Sequence, residues 1–165
     1  MQPYLHNVLY IHSVLRYFIL FFAIIVVMQS LVGMMGKKKF QTPNRVIALF
    51  LLISCDLQLL LGLTLYYFNL VANGKMQSVN VMKDTYTRFY AVEHSASMII
   101  AIILVHVGYS VIKKKIDDDL KFKRLFWCSF IALAIFLAMI PWEGKQVVGR
   151  PNFPGLQDSL ETLTK

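Results

Sequence analysis

The chain has 165 residues, of which 57% are hydrophobic, and its mean hydropathy is +0.57. The apolar residues fall in four blocks that have almost no polar face, which argues against a water-soluble core and predicts a chain dissolved in lipid. The net charge is +8, and 10 of the 17 basic residues lie in two short stretches, 37–45 and 113–124, as in loops beside anionic lipid, so nucleic-acid binding is not expected.

The four blocks predict four membrane-spanning helices, in chain order over residues 8–35, 46–68, 87–112 and 125–140. Lysine triplets follow the first and third helices, Pro43 precedes the second, and Pro141 ends the fourth. The expected fold class is therefore all-α, an integral membrane four-helix bundle within residues 1–142. A polar external tail over 143–165 follows, and its end, 159–165, is a candidate surface helix.

Basic residues also predict the orientation of the bundle. The first and third loops hold four and six of them, whereas the loop over 69–86 holds two and the two tails together hold three. The richer side is cytoplasmic, so both termini are expected in the periplasm and the chain in the inner membrane of a bacterium. No cleavable signal peptide is expected, because the amino terminus lacks a basic region. An aromatic belt maps to the outer boundary: Tyr4, Tyr10, Tyr66, Tyr67, Tyr86, Tyr90 and Trp142.

Ionisable side chains inside the spans are costly in hydrocarbon, so each is a functional candidate. These are His12, Arg16, Asp56, Glu93, His94 and His106. The first and third helices run in the same direction, and the helical rise places His12 and His94 within roughly 5 Å of each other in depth. Two imidazoles at equal depth on neighbouring helices predict a site for haem b, with both histidines as axial ligands of the iron. Covalent attachment is not expected, because the chain has no CxxCH motif.

Arg16 lies one helical turn below His12 on the same face. It is expected to pair with a haem propionate or with Glu93, for which Arg88 is the other candidate partner. A purely structural alternative stays open for these residues. In that alternative His12 and Arg16 form hydrogen bonds at the level of the lipid headgroups, and His94 forms a hydrogen bond between helices.

Asp56 and His106 form the second group of intramembrane candidates. Asp56 lies roughly in the middle of the second span, and the helical rise places His106 about 18 Å deeper than His94. No second histidine lies at the level of His106, so a second haem is not expected. Both residues are explained by hydrogen bonds between helices, or alternatively they and Glu93 contact a quinone or transfer protons.

Three short motifs carry a resemblance to a known family. They are His12-Ser13-Val14-Leu15-Arg16-Tyr17, Glu93-His94 and Ile140-Pro141-Trp142. With four spans in about 150 residues, the chain resembles over most of its length a bacterial family of small membrane proteins labelled cytochrome b. The resemblance implies a haem-bearing redox subunit, with His12 and His94 at the ligand positions, and it implies no substrate.

Three functions agree with these observations. The first is a b-type cytochrome that exchanges electrons with a quinol or with other membrane or periplasmic redox subunits, without oxygen chemistry because both axial positions are filled. The second is a non-catalytic structural or assembly subunit of a larger membrane complex. The third is a proton or ion carrier that uses Asp56 and His106, although four helices are few for a transporter. Soluble-enzyme functions are not supported, because phosphate loops, nucleophile elbows and zinc spacings are missing from the sequence.

Overall fold

Four long helices make up the fold. The structure, a computed structural model, describes residues 3–152, and within that range the chain is helical without a strand. The helices are α1 (Pro3–Met35), α2 (Thr42–Ala72), α3 (Thr85–Lys113) and α4 (Asp118–Met139). All four are long and apolar enough to cross a membrane, judged by length and composition. The predicted all-α class with four long apolar helices is confirmed.

The helices extend beyond the predicted boundaries, most of all at the start of α4. The sequence placed residues 118–124 in a loop because they are strongly charged. The structure places them in the first turns of α4, where Lys121 and Lys123 pair with Asp118 and Asp119 at 2.9 and 2.7 Å. Opposite charges three and four residues apart stabilise a helix, and acidic side chains favour its first turn. The charged stretch is therefore a helix start, and the predicted boundary at residue 125 was wrong.

Two π-helical segments interrupt the regular helices. The last part of α2, Tyr67–Ala72, is π-helical, and so is a turn of α3 over Phe89–Glu93. In the α3 segment the hydroxyl of Ser95 donates a hydrogen bond to the backbone oxygen of Tyr90 at 2.6 Å. Such segments are rare and occur frequently at functional sites. Both lie at the same end of the bundle, and the α3 segment immediately precedes His94.

The helices pack in the cyclic order α2, α1, α4, α3. α1 packs against both α2 and α4, α3 packs against α4, and a lighter contact between α2 and α3 completes the bundle. α1 and α3 therefore lie on opposite corners. The expectation that His12 and His94 stand on neighbouring helices was wrong, because these two helices face each other across the bundle axis.

The two ends of the bundle differ in packing. The basic end carries the loops after α1 and α3, with Lys37–Lys39 and Lys113–Lys115. Towards this end the interior is filled, and Val26, Leu51 and Phe122 are each no more than 1% exposed. Gly33 admits the Phe122 ring so closely that a Cβ atom at Gly33 would lie 2.5 Å from it. The other end, called the cavity end below, encloses an open space.

A strap over residues 141–152 folds back across the cavity end. The Tyr90 hydroxyl donates to the backbone oxygen of Val148 at 2.7 Å, and the backbone N–H of Arg150 donates to Pro141 at 3.1 Å. Gly149 is required in this fold, because a Cβ atom there would lie 2.4 Å from the backbone oxygen of Lys145. The first part of the predicted external tail thus packs on the bundle. Residues 153–165, including the candidate helix over 159–165, lie outside the described residues.

Candidate functional site: a cavity between two histidines

A cavity of about 560 Å³ lies between the four helices at the cavity end, with Pro141 and Arg150 of the strap on its wall. Its volume is typical of sites for small molecules and cofactors. Aliphatic and aromatic side chains form most of its lining. The polar side chains that line it are His12, Ser13, Arg16, Gln58, Tyr66, Asn69, Lys75, Tyr86, Tyr90, His94, Ser95 and Arg150. Both histidines singled out in the sequence therefore face one cavity.

His94 is oriented by a carbonyl group at the end of α4. Its Nδ1 atom lies 2.9 Å from the backbone oxygen of Met139, the last residue of that helix. Pro141 follows the helix end, and the last carbonyls of a helix have no partner within it. Because a carbonyl oxygen only accepts, Nδ1 of His94 carries the proton and Nε2 keeps its lone pair. Metal-ligating histidines are typically oriented by such a bond to a carbonyl.

His12 lies against a glycine on the neighbouring helix. A Cβ atom at Gly62 would lie 3.3 Å from Cε1 of His12, so a side chain at that position would compete with the imidazole for space. Gln58 donates to the backbone oxygen of His12 at 2.9 Å and ties α1 to α2 at this level. The Nδ1 atom of His12 is buried without a hydrogen-bond partner among the described residues. Buried polar atoms normally have a partner, so this atom indicates a ligand or water at the ring.

Arg16 lies beside the cavity and is 8% exposed. Its Nη2 atom donates to the backbone oxygen of Asn152 at 2.6 Å and to the Tyr17 hydroxyl at 3.0 Å. The Nε atom is buried without a partner, and no carboxylate within residues 3–152 forms an ion pair with the guanidinium. A guanidinium stays charged in a protein, and a buried charge without a counter-ion is unfavourable. An anionic ligand in the cavity would supply that counter-ion.

Two further cations reach the same cavity. Arg150 in the strap donates to the Tyr86 hydroxyl at 2.6 Å, and its guanidinium carbon lies 4.4 Å from the centre of the Tyr90 ring. The ammonium of Lys75 lies 4.1 Å from the centre of the Tyr86 ring. With Arg16 these residues place three positive charges on the cavity wall, whereas its lining contains neither aspartate nor glutamate. The cavity therefore selects for negative charge.

The side chains at the cavity fit a porphyrin with carboxylate arms. Haem iron needs only axial ligands from the protein, and two histidines on opposite corners face the cavity. The apolar lining suits the macrocycle, and the cations suit its carboxylates. Within residues 3–152 no group of three or more His, Cys, Asp or Glu residues is placed to hold a bare metal ion.

Glu93, the fourth ionisable candidate at this depth, does not line the cavity. Its carboxylate lies 2.8 Å from Nε of Arg88, and both side chains are partly exposed. The expected pair between Arg16 and Glu93 is not formed, and the other candidate partner, Arg88, takes its place. Arg88 also donates to the backbone oxygen of Met82 at 3.0 Å, so this pair fastens the start of α3 to the preceding loop.

Asp56 and His106 also lie away from the cavity, and they form a pair of their own. Nε2 of His106 is 3.2 Å from Oδ1 of Asp56, so the pair bridges α2 and α3. Both side chains are 47% exposed on the outside of the bundle. The sequence identified both residues but assigned them to different depths, and their contact was not predicted.

Several residues of the site were missed in the sequence. Arg150 lies in a polar tail whose pattern carries no signal for a return to the bundle. Gly62 was not selected as a site residue, although its position beside His12 is what makes room for the imidazole. The π-helical turn before His94 has no recognised sequence pattern. The proline after α4 was a usable signal, because a proline ends a helix and the carbonyls of the last turn, including that of Met139, then have no partner within the helix.

Comparison with known proteins identifies no relative of this chain. It matches no protein-family model, no curated protein and no solved structure.

Proposed function

We propose that the chain is a b-type cytochrome of a bacterial inner membrane, with one haem between His12 and His94. The single observation that supports this most is the composition of the cavity wall. Two imidazoles, three cations and no carboxylate meet there, among neutral polar side chains and a mainly aliphatic and aromatic lining. Haem b would suit this wall. Its iron accepts two nitrogen ligands, its two carboxylates match the cations, and its flat macrocycle is mostly apolar.

In this proposal each polar residue at the cavity has a distinct role. His12 and His94 would hold the haem, and the Met139 carbonyl keeps the His94 ring in one orientation. Arg16 and Arg150 neutralise the carboxylates, which explains a buried guanidinium that has no acidic partner within residues 3–152. The strap excludes water from this end of the cavity, because Arg16 and Tyr90 both hold its backbone.

The proposed activity is electron transfer. Haem b would supply a reversible one-electron couple, and His12 and His94 would hold it through their imidazole nitrogens, so electron transfer without oxygen chemistry is the expected activity. The residues of the chain bind and orient the group, exclude water and hold charge. The distribution of lysine and arginine supports an orientation with both termini and the haem towards the periplasm. Partners would then be a quinol in the membrane, other membrane subunits or a periplasmic redox protein.

A reduced-minus-oxidised absorbance spectrum tests this proposal. The full chain is expressed in haem-replete cells and purified in detergent. The expected result is a Soret band with sharp α and β bands on reduction. Changing His12→Ala or His94→Ala should remove these bands, because each change deletes one of the two imidazoles that would hold the haem. The matched control is His106→Gln, a histidine in the same helix as His94 that lies away from the cavity.

Added imidazole distinguishes ligand loss from misfolding. A small imidazole that enters the space left by His94→Ala restores the bands if the bundle is still folded. Arg150→Gln is expected to weaken haem binding by roughly tenfold or more, because a hydrogen bond to a charged group contributes about 1.5–3 kcal/mol. Wild-type protein that is colourless contradicts the cytochrome proposal. Colourless protein that co-purifies with a large membrane complex supports the structural role instead.

A further inference from the structure

The pair of Asp56 and His106 stands on the outer surface of the bundle, in a region that is otherwise apolar. Nearby exposed side chains on α2 and α3 include Ile53, Leu57 and Ile103. The imidazole uses both nitrogens, since Nδ1 lies 3.0 Å from the backbone oxygen of Ile102 and Nε2 faces Asp56. The carboxylate has no partner other than His106 among the described residues.

The depth of the pair places it in hydrocarbon. By the helical rise, Asp56 lies about 20 Å from either end of α2, and His106 lies about 10 Å from the end of α3. Lipid headgroups therefore lie beyond hydrogen-bond distance. Ionisable residues at such depth normally face the inside of a bundle or a water-filled cavity. An ion pair that is half exposed to lipid tails is unfavourable, so this surface is expected to be covered by something polar.

From this geometry we propose that the surface is the interface with a second copy of the same chain. A donor and an acceptor that lie side by side form a small dipole. A two-fold axis brings an identical dipole against it in the opposite direction, so that each positive end meets a negative end. The interface would centre on α2, of whose most apolar 18 residues only 22% are buried within one copy, against 39% for α1 and for α3.

A small-molecule site at this position is less consistent with the shape of the surface. Sites for quinones and other cofactors are concave, whereas neither Asp56 nor His106 lines the cavity. A protein partner requires only a complementary face. Polar contacts between helices are one of the forces that drive association inside membranes. A second copy is the partner whose complementarity follows from the pair itself.

Cysteine cross-linking in native membranes tests the proposal. Cys55 and Cys128 are first replaced by serine, and a single cysteine is then placed at Leu57, which is 49% exposed beside Asp56. An oxidant is expected to convert most of this L57C chain into a disulfide-linked dimer. The matched control is F21C, because Phe21 is 58% exposed on α1 at a similar distance from the basic end. F21C should give no disulfide-linked dimer.

The ion pair is tested by Asp56→Asn in the L57C background. Two differently tagged copies should co-purify about tenfold less, which is the size expected from the loss of one polar contact between helices in a membrane. The thermal unfolding midpoint in detergent shows whether the bundle itself remains folded. The double change Asp56→Asn with His106→Gln, which exchanges the ion pair for an amide pair, should restore part of the association.

Three outcomes would overturn the proposal. Wild-type copies with different tags that do not co-purify exclude the dimer. A cross-link from L57C to a different protein assigns the surface to another subunit. A monomer that binds ubiquinone-1 and loses that binding on Asp56→Asn assigns the pair to a quinone. None of these results depends on whether the cavity holds haem.

Discussion

The two halves of the bundle differ in what fills the space between their helices. Towards the basic end, small residues such as Gly33 and Ser30 let the helices approach, and Phe122 fills the remaining space. Towards the cavity end, Gly62 also removes a side chain, but the space is taken by the His12 imidazole and an open volume. Gly33 thus allows close contact between helices in one half, whereas Gly62 makes room for the His12 imidazole in the other.

The buried polar groups of the two halves also differ, in size and in charge. Near the basic end the buried hydroxyls of Ser30 and Ser129 are small and neutral. At the cavity end a buried guanidinium and two imidazoles face open space. In a bilayer the helices gain little from the hydrophobic effect and associate through close packing and polar contacts. The filled half is therefore expected to hold the bundle together, whereas the cavity end has room for a ligand.

The largest expected effect comes from matched phenylalanines on α4. Phe122→Ala should lower the free energy of unfolding by about 3 kcal/mol, because it empties a filled site in which the ring is 1% exposed. Phe136→Ala should cost about half as much, because Phe136 already borders the cavity. Unfolding by SDS titration in mixed micelles measures both. Equal losses would contradict the division into a filled half and an open half.

Two glycine variants, one in each half of the bundle, test the same difference in packing. Gly33→Ala should destabilise the bundle by about 1–3 kcal/mol, because the new methyl group meets a buried ring that cannot move away. Gly62→Ala should have a smaller effect on unfolding, because the His12 ring can move into the cavity, but it should lower the haem content. Unfolding and the haem-to-protein ratio are measured on the same samples.

The glycine prediction has an internal control. In the double variant Gly33→Ala with Phe122→Ala the methyl group enters the space left by the ring. The double loss should therefore be smaller than the sum of the single losses. Strict additivity would mean that Gly33 and Phe122 do not interact in the folded bundle.

A smaller effect is expected from Tyr90→Phe at the cavity end. The change removes the hydrogen bond to Val148 and should weaken the attachment of the strap by about 1 kcal/mol. Hydrogen–deuterium exchange should increase over residues 145–150, while the filled half keeps its protection. Faster exchange throughout the bundle would show that the strap is part of the same cooperative unit.

The smallest effect is expected from pH at the start of α3. Asp84 caps this helix. The Thr87 side chain beside the carboxyl, together with the hydrogen bond from the Thr87 backbone N–H at 2.8 Å, lowers the pKa of that carboxyl below its ordinary value. A lowered pKa in the folded state means that the cap stabilises the helix above roughly pH 4 and loses this contribution as the pH falls further. Exchange at 85–88 should rise in acid, and Asp84→Asn should remove that dependence.

The sequence predicts the number and rough placement of the helices well, because the length of an uninterrupted apolar block is a strong signal for a long apolar helix. It fails at the start of α4, where charged residues that pair along one helix were assigned to a loop. It also selects His12, His94 and Arg16, which the structure brings to one cavity. These three residues were selected as ionisable side chains at a similar depth in helices that run in the same direction. That selection holds even though α1 and α3 are not neighbours in the bundle.

The remaining features depend on tertiary arrangement. That α1 and α3 lie on opposite corners depends on which helix faces pack, and all four helices are apolar nearly all round. The contact between Asp56 and His106 depends on the relative sliding of α2 and α3, which loop lengths do not determine. The return of Arg150 to the cavity depends on a strap whose hydrogen bonds are mostly to backbone groups and leave no side-chain pattern.

The π-helical turn at Phe89–Glu93 divides α3 into two segments with independent registers. Such a turn accommodates one extra residue, and one residue corresponds to about 100° of rotation around a helix. Tyr86, ahead of the turn, can therefore be aimed at Arg150 without changing the direction in which His94 points. The entrance of the cavity and the imidazole inside it can thus vary separately over evolution, although a single continuous span carries both.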